Sequence, residues 1–133
     1  MNAVDSSVII AAFSSWHAQH DSAVMVLADQ PHAPAHALAE AYSVLTRLPS
    51  PHRAAPGVVY EFLVSAFLDR VLDTGASILE RIKEHSAASI AGGAVYDGLI
   101  GQAARDVDAT LVTLDQRALA TYHRLGARVR LIT

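Results

Sequence analysis

The sequence predicts an α/β fold in which helices flank a parallel sheet. Segments with apolar residues at helical spacing alternate with short segments of strand character, a pattern typical of parallel sheets joined by right-handed crossovers. The length of 133 residues fits a single domain that covers residues 1–133. The chain has no cysteine, which excludes a disulfide framework, a thiolate zinc site and a thiol nucleophile.

In the first half of the chain, the elements follow from caps, prolines and apolar spacing. A very short strand is expected at Asn2–Val4, because Asp5 and the two serines after it are typical of a helix start. Helices are expected at Ser6–Phe13, Asp21–Ala28, His36–Leu48 (beginning near Ala35) and Val58–Phe67, with an extended segment at Pro31–Pro34. The prolines between residues 48 and 57 predict a loop between the last two of these helices.

The second half contains the clearest strand, Ala109–Leu114, which is rich in β-branched residues. Around it we expect strands at Asp69–Leu72 and Arg128–Ile132, helices at Gly75–His85, Ala94–Asp106 and Gln116–His123, and a break at Gly92-Gly93. In the helix at Gly75–His85, three apolar side chains are expected to face the core: Ile78, Leu79 and Ile82.

Composition limits the classes of function. Apolar residues make up 52% of the chain and charged residues 17%, so the poorly charged surface predicts an interface with a partner or with a second copy. The net charge of −3 argues against nucleic-acid binding through bulk positive charge. The longest apolar run, Val8–Phe13, is far shorter than the roughly 18 residues of a membrane span. No secretory signal pattern opens the sequence, so we expect a cytoplasmic protein.

Two acids directly follow predicted strands. Asp5 comes after the first strand and Asp115 after the strand at Ala109–Leu114. Ligands of parallel sheets bind outside the carboxyl ends of the strands, which makes both acids candidate site residues. The alternative for each is a helix N-cap, whose carboxylate accepts hydrogen bonds from free backbone amides.

Two further acids lie on predicted helices near faces that should be buried. Glu40 borders the apolar face of its helix, although its carboxylate could instead reach solvent or Arg47. Asp97 shares its helix face with three small residues, Ala94, Gly101 and Ala104. A solvated Asp97 is the alternative, but the exposed side of that helix is better filled by Gln102, Arg105 and Asp106.

If these four acids meet at one sheet edge, their mutual repulsion calls for a cation. Oxygen ligands suit Mg²⁺ or Mn²⁺, and such an ion can activate water for phosphodiester hydrolysis. The nearest hydroxyls to this edge are Ser6 and Thr113. Ser6 could orient a carboxylate or a metal-bound water, or it could be an ordinary residue at a helix start.

Four segments resemble the acidic motifs of PIN-domain ribonucleases, and their order and spacing are similar to those of VapC toxins. They are Val4-Asp5-Ser6-Ser7-Val8, Ala37-Leu38-Ala39-Glu40-Ala41, Tyr96-Asp97-Gly98-Leu99-Ile100 and Leu111-Val112-Thr113-Leu114-Asp115. The resemblance implies a PIN-like three-layer α/β/α sandwich with a short-stranded central parallel sheet. It also implies a Mg²⁺- or Mn²⁺-dependent endoribonuclease with an RNA substrate, neutralised by a cognate VapB-type antitoxin and forming a homodimer.

Carried over by position, the resemblance makes Asp5, Glu40, Asp97 and Asp115 the catalytic, metal-binding quartet. Thr113 matches the hydroxyl at the strand end beside the last acid, and Ser6 is a supporting residue. The chain departs from the family pattern at Gly98, where alanine is common, and in the added charge of Asp106 and Asp108. Neither departure touches a candidate ligand.

Other classes of function fit the sequence less well. Zinc binding by His32, His36 and Glu40 is disfavoured because Pro34 interrupts their helical spacing. No nucleophile elbow surrounds Ser6 or Ser7. A non-catalytic PIN-like or receiver-like interaction module stays open as the alternative. A receiver, however, needs a second acid beside the first strand and a lysine after a late strand, whereas the only lysine is Lys83 on a mid-chain helix.

Overall fold

A computed structural model describes residues 1–73 and 77–133 and shows short parallel strands surrounded by helices. The strands are β1 (Asn2–Val4), β2 (Ala33–Pro34), β3 (Val71–Leu72), β4 (Thr110–Thr113) and β5 (Arg128–Leu131). The helices are α1 (Ser6–Phe13), α2 (His20–Ala28), α3 (Ala35–Arg47), α4 (Pro56–Phe67), α5 (Ile78–Ala87), α6 (Ala94–Asp106) and α7 (Leu119–Arg124), with a 3₁₀ turn at Gln116–Ala118.

The strands form a three-stranded parallel sheet in the order β1-β4-β5 and a two-stranded parallel sheet of β2 and β3. β4 lies between β1 and β5, with Val112 opposite Val4 on one side and opposite Arg130 on the other. β2 pairs with β3. A bridge between Ala3 and His32 joins β1 to the β2 side, and the Val4 amide donates to the His32 carbonyl at 2.9 Å. This order brings the carboxyl ends of β1 and β4 side by side.

Helices cover both faces of the central strands. Successive residues of a strand point to opposite faces, and the adjacent residues Ala3 and Val4 of β1 are both fully buried. The same holds for Leu111 and Val112 of β4. Burial on both faces is typical of parallel sheets in α/β proteins. The predicted α/β/α sandwich with a short central parallel sheet is therefore confirmed.

Most predicted elements are present, with small shifts at their ends. α4 begins two residues earlier than expected, at Pro56, because proline is well suited to the first position of a helix. The expected strand at Asp69–Leu72 is shorter, since only Val71 and Leu72 pair with β2. The expected last helix divides into the 3₁₀ turn and α7. Part of the helix predicted at Gly75–His85 lies outside the described residues.

The prediction for the buried face of α5 is wrong. Ile78, Leu79 and Ile82 are exposed, with 73% of Leu79 accessible, whereas Arg81 and His85 are buried. The reason is a polar contact between α5 and α6, in which Nε2 of His85 lies 2.9 Å from Oε1 of Gln102. α5 therefore turns its polar side inward.

The prediction for the exposed side of α6 is wrong for Gln102, which is buried, and only partly right for Arg105, which is partly exposed. Gln102 is fully buried, and its amide donates to the Arg81 carbonyl at 3.3 Å and to Glu84 Oε1 at 3.0 Å. Arg105 is only partly exposed, because it pairs with Glu84 and Asp106. Asp106 is exposed as expected. A buried amide is tolerated here because these partners satisfy its hydrogen bonds.

No helix within the described ranges, 1–73 and 77–133, has the length and apolar character needed to traverse a membrane.

Candidate active site

Asp5 is held at the end of β1 with both carboxylate oxygens hydrogen-bonded. Oδ1 accepts from the Ser7 amide at 3.0 Å, the Ser7 hydroxyl at 2.5 Å and the Val8 amide at 3.4 Å. Oδ2 accepts from the Thr113 hydroxyl at 2.5 Å and the Tyr122 hydroxyl at 2.8 Å. Asp5 thus caps α1, and it also receives hydrogen bonds from β4 and α7 that a cap does not need.

Burial is the main influence on the pKa of Asp5. The side chain is 2% exposed, and removal from water raises its pKa. The hydrogen bonds from Ser7, Thr113 and Tyr122 act in the opposite direction by stabilising the carboxylate. Burial and the Asp5 charge also raise the pKa of Tyr122, so its hydroxyl keeps the hydrogen that it donates.

Glu40 reaches this edge of the sheet from α3. Its Oε1 accepts a hydrogen bond from the buried hydroxyl of Ser6 at the start of α1. Arg47, considered above as a partner for Glu40, instead donates to the Ser43 hydroxyl at 3.0 Å. Ser6 therefore links α1 to α3 and fixes the direction of the Glu40 side chain.

Asp97 lies near the other three predicted acids, because their charges act on its carboxyl group. Its pKa is raised to about 6, first by burial and then by the negative charges of Glu40, Asp115 and Asp5. These three acids come from α3, from the segment after β4 and from the end of β1. The structure thus gathers all four predicted acids around one edge of the sheet.

Asp115 is linked to Asp5 through a single hydroxyl. Thr113 Oγ1 donates to Asp5 Oδ2 and accepts from the Asp115 amide at 2.9 Å. Asp115 Oδ1 accepts from the Arg117 amide at 3.0 Å and so caps the 3₁₀ turn. For both strand-end acids, capping and membership of the acidic cluster occur together, although they were posed above as alternatives.

Two residues of the site were missed at the sequence level. The Ser7 hydroxyl donates to Asp5 and accepts from the Leu114 amide at 2.9 Å, which ties α1 to the end of β4. A serine two positions after an N-cap aspartate is a local signal that could have identified it. Tyr122 is 117 positions from its partner Asp5, and no local pattern points to it.

The donor chemistry of the cluster suits a hard divalent cation. Within residues 1–73 and 77–133, no group of three or more Asp, Glu or His side chains is arranged so that it could hold a metal ion by itself, and this includes the histidines His32 and His36. Mg²⁺ usually keeps several waters and contacts only one or two carboxylates. The repulsion that raises the pKa of Asp97 is the interaction that a cation would offset. The residues therefore fit a hydrated ion shared among the acids.

Comparison with known proteins places this chain in a family. The family model described as PIN domain matches residues 3–124. The chain therefore belongs to the PIN-domain family, which is inconsistent with a receiver-like identity.

Relatives within this family are VapC ribonucleases. Ribonuclease VapC40 of Mycobacterium tuberculosis, in strains CDC 1551 / Oshkosh and ATCC 25618 / H37Rv, is 43% identical over 134 residues, with 100% of both chains covered. Ribonuclease VapC27 of strain ATCC 25618 / H37Rv is 39% identical over 128 residues, covering 96% of this chain and 93% of its own.

A solved structure agrees on the fold. It is described as the crystal structure of FitAcB from Neisseria gonorrhoeae, and it superposes with a TM-score of 0.67 over 97% of this chain and 96% of its own. At 20% sequence identity, this likeness supports the fold alone.

Proposed function

We propose that this chain is a divalent-metal-dependent endoribonuclease of the VapC toxin type. It hydrolyses RNA phosphodiester bonds at the site formed by Asp5, Glu40, Asp97 and Asp115. The observation that carries the proposal is that carboxylates from three separate elements, Glu40, Asp115 and Asp5, lie close enough to Asp97 to add to the effect of burial in raising its pKa to about 6. The two VapC ribonucleases, similar over nearly the full chain, support the same reaction.

The four acids differ in burial and in hydrogen bonding, and their proposed roles differ accordingly. Asp5 is buried, and hydrogen bonds to both of its carboxylate oxygens fix the direction of its side chain. Glu40, Asp97 and Asp115 are partly exposed and, together with Asp5, would hold the hydrated ion and the attacking water. Ser6 orients Glu40, and Thr113 holds Asp5 and the Asp115 backbone in register.

The proposed cofactor is Mg²⁺ or Mn²⁺. When bound, such an ion lowers the pKa of water and stabilises negative charge on phosphate oxygens. The carboxylates of this chain would place the ion beside the carboxyl ends of β1 and β4. We propose that the chain acts on this RNA substrate in the cytoplasm.

The proposed partners are a VapB-type antitoxin and a second copy of the chain. Apolar side chains are exposed on α2 and α5, including Met25 at 74% and Leu79 at 73%. A contiguous exposed apolar patch is typical of an interaction site, and we propose that these side chains contribute to one. We expect the purified chain to form a homodimer at micromolar concentration, and light scattering that shows a monomer would contradict this expectation.

The test of the activity uses an isosteric change within the acidic cluster. The purified chain is incubated with single-stranded RNA in Mg²⁺, in Mn²⁺ or in a chelator, and Asp97→Asn is compared with Asp29→Asn. Asp29 is an exposed aspartate at the end of α2, outside the cluster. We expect Asp97→Asn and chelation each to reduce cleavage by at least about 100-fold, and Asp29→Asn to leave it intact.

Two outcomes would overturn the proposal. Cleavage by Asp97→Asn at the wild-type rate would remove the acidic cluster from the mechanism. Absence of cleavage by the wild-type chain, with antitoxin binding intact, would favour the alternative of a non-catalytic PIN-like interaction module.

A further inference from the structure

Two aromatic rings are stacked at the border of the acidic cluster. The imidazole of His36 and the phenol of Tyr96 lie with their centroids 5.3 Å apart and their planes 5° from parallel. His36 belongs to α3 and Tyr96 to α6. These are the helices that supply Glu40 and Asp97.

The spacing of these residues fixes the pair beside the acids. His36 lies four residues before Glu40, which is one helical turn along the same face of α3. Tyr96 directly precedes Asp97, whose charge interacts with Glu40. The stack and the acid pair are therefore neighbouring contacts between the same two helices.

The stack is at the surface and is not part of the core. Tyr96 is 52% exposed, and His36 is partly exposed. His36 also lines a cavity of about 410 Å³, together with Ala39 and Leu99. Open space therefore lies beside the imidazole, and its volume falls in the range of roughly 300 to 1,000 Å³ that is typical of small-molecule sites in proteins.

We propose that His36 and Tyr96 form a stacking platform for one unpaired base of the RNA, next to the phosphodiester that is cut. The inference rests on the proposed function and adds a substrate class, which is single-stranded RNA with a base free to leave its own stack. Proteins that recognise single-stranded RNA stack such bases on aromatic side chains, histidine and tyrosine among them.

Charge explains why such a platform is needed. The chain carries 10 Lys and Arg residues against 13 Asp and Glu residues, and the site itself gathers four carboxylates. The exposed Arg117, whose Nε lies 3.9 Å from Asp115 Oδ1, can contribute one positive charge there, but the four carboxylates oppose phosphate neutralisation, the usual main contribution to nucleic-acid affinity. Stacking involves the uncharged face of a base, so it contributes affinity that an acidic site does not oppose.

The experiment combines removal of the Tyr96 ring from the protein with removal of one base from the RNA. Tyr96→Ala is compared with Tyr96→Phe, which restores the ring, and with Tyr60→Ala, which removes a similarly exposed tyrosine from α4. Each variant is assayed on a single-stranded RNA that the wild-type chain cleaves and on matched RNAs with one abasic nucleotide near the cut. We expect Tyr96→Ala to raise KM by about 10- to 100-fold with a much smaller change in kcat.

The abasic RNAs identify the base that stacks. At one position, loss of the base should raise the wild-type KM by a similar factor but should have little further effect on Tyr96→Ala, because the two changes remove the same contact. Equal effects of the abasic nucleotide on the wild-type chain and on Tyr96→Ala would overturn the platform, and so would an unchanged KM for Tyr96→Ala.

Binding without cleavage separates this inference from the proposed function. Fluorescence anisotropy with labelled single-stranded RNA in chelator measures binding when no reaction occurs. Binding that Tyr96→Ala and His36→Ala both weaken supports the platform even if the chain proves not to cleave RNA. Binding that both variants retain, or no binding by the wild-type chain, would overturn it. Unchanged thermal unfolding of both variants controls for loss of fold.

Discussion

Tyr122 donates its hydroxyl hydrogen to Oδ2 of Asp5 at 2.8 Å, between residues that are 117 positions apart. The ring is fully buried, and a Cβ added to Gly101 would lie 3.0 Å from its Cδ1. Glycine at 101 therefore allows α6 to lie close to the tyrosine. The packing of α6 against α7 sets the position of this hydroxyl, and through it the direction of the Asp5 carboxylate.

The first prediction concerns a substitution, Tyr122→Phe, that removes this hydrogen bond. In Tyr122→Phe the ring stays in place, but Asp5 Oδ2 keeps only the hydrogen bond from Thr113. We expect the Mg²⁺ concentration for half-maximal cleavage to rise by about 10-fold, as is common when a partner that orients a ligand is lost. The free energy of unfolding should fall by about 1 to 2 kcal/mol, because a buried charged group loses one partner.

The control for this change is Tyr60→Phe, at an exposed tyrosine on α4. It should alter neither the Mg²⁺ dependence nor the unfolding midpoint. If Tyr122→Phe lowers stability while its Mg²⁺ dependence stays at the wild-type value, then Tyr122 only packs the core and does not position Asp5.

The second prediction concerns stability and pH. Because the pKa of Asp97 is raised from 3.8 to about 6, the folded chain binds its proton more tightly than the unfolded chain does. The resulting stabilisation is complete below about pH 4 and is lost as the pH rises through 6. Asp97→Asn removes the ionised carboxylate, which burial and the neighbouring negative charges disfavour, and should be more stable than the wild-type chain at pH 7.5 by about 1 to 2 kcal/mol, after allowance for solvent screening.

Urea unfolding of both chains at pH 4.5 and pH 7.5, without divalent ions, measures the effect. The advantage of Asp97→Asn should be larger at pH 7.5 than at pH 4.5. An equal difference at the two pH values would mean that neither burial nor the other carboxylates raise the pKa of Asp97 in the folded chain.

Local sequence signals predicted the acids but not the contacts that hold them. Asp5 and Asp115 were identified because a residue after a parallel strand lies at the edge where ligands bind. The hydrogen bond from Tyr122 to Asp5 depends on how α7 packs, which no spacing in the sequence reports. Tertiary packing, not local pattern, decided this part of the site.

The prediction of the buried face of α5 is wrong for a different reason. Ile78, Leu79 and Ile82 have the spacing of a core stripe, yet they are exposed. The competing face carries His85, which finds a buried hydrogen-bond partner in Gln102. Hydrophobic periodicity cannot anticipate a polar contact whose two members come from separate helices.

The third prediction concerns Gly98, at a position where the resemblance to the family leads us to expect alanine. We expect a methyl group at this position to destabilise the fold. A Cβ added to Gly98 would lie 2.6 Å from His85 Nε2 and 2.7 Å from His85 Cε1, which is closer than packed atoms approach. Gly98→Ala should therefore lower the free energy of unfolding by about 1 to 3 kcal/mol, as overpacking of a buried site usually does.

A double substitution tests whether the histidine is the cause. His85→Ala alone should also destabilise the fold, because it opens a cavity and leaves Gln102 without this partner. The pair Gly98→Ala and His85→Ala together should be less destabilised than the sum of the two single changes, measured by urea unfolding. Strict additivity would show that the new methyl group meets some other obstacle.

The fourth prediction follows from the charge of the acidic cluster. A cation that binds the folded chain and not the unfolded one stabilises it in proportion to the logarithm of its concentration above its Kd. We expect Mg²⁺ and Mn²⁺ to raise the unfolding temperature of the wild-type chain at pH 7.5, and to raise that of Asp97→Asn much less, because the variant lacks one carboxylate and much of the repulsion. Asp29→Asn, with its exposed aspartate outside the cluster, should respond as the wild-type chain does. An equal rise for the wild-type chain and Asp97→Asn would mean that the ion binds elsewhere, and the acids would then need another explanation for their convergence.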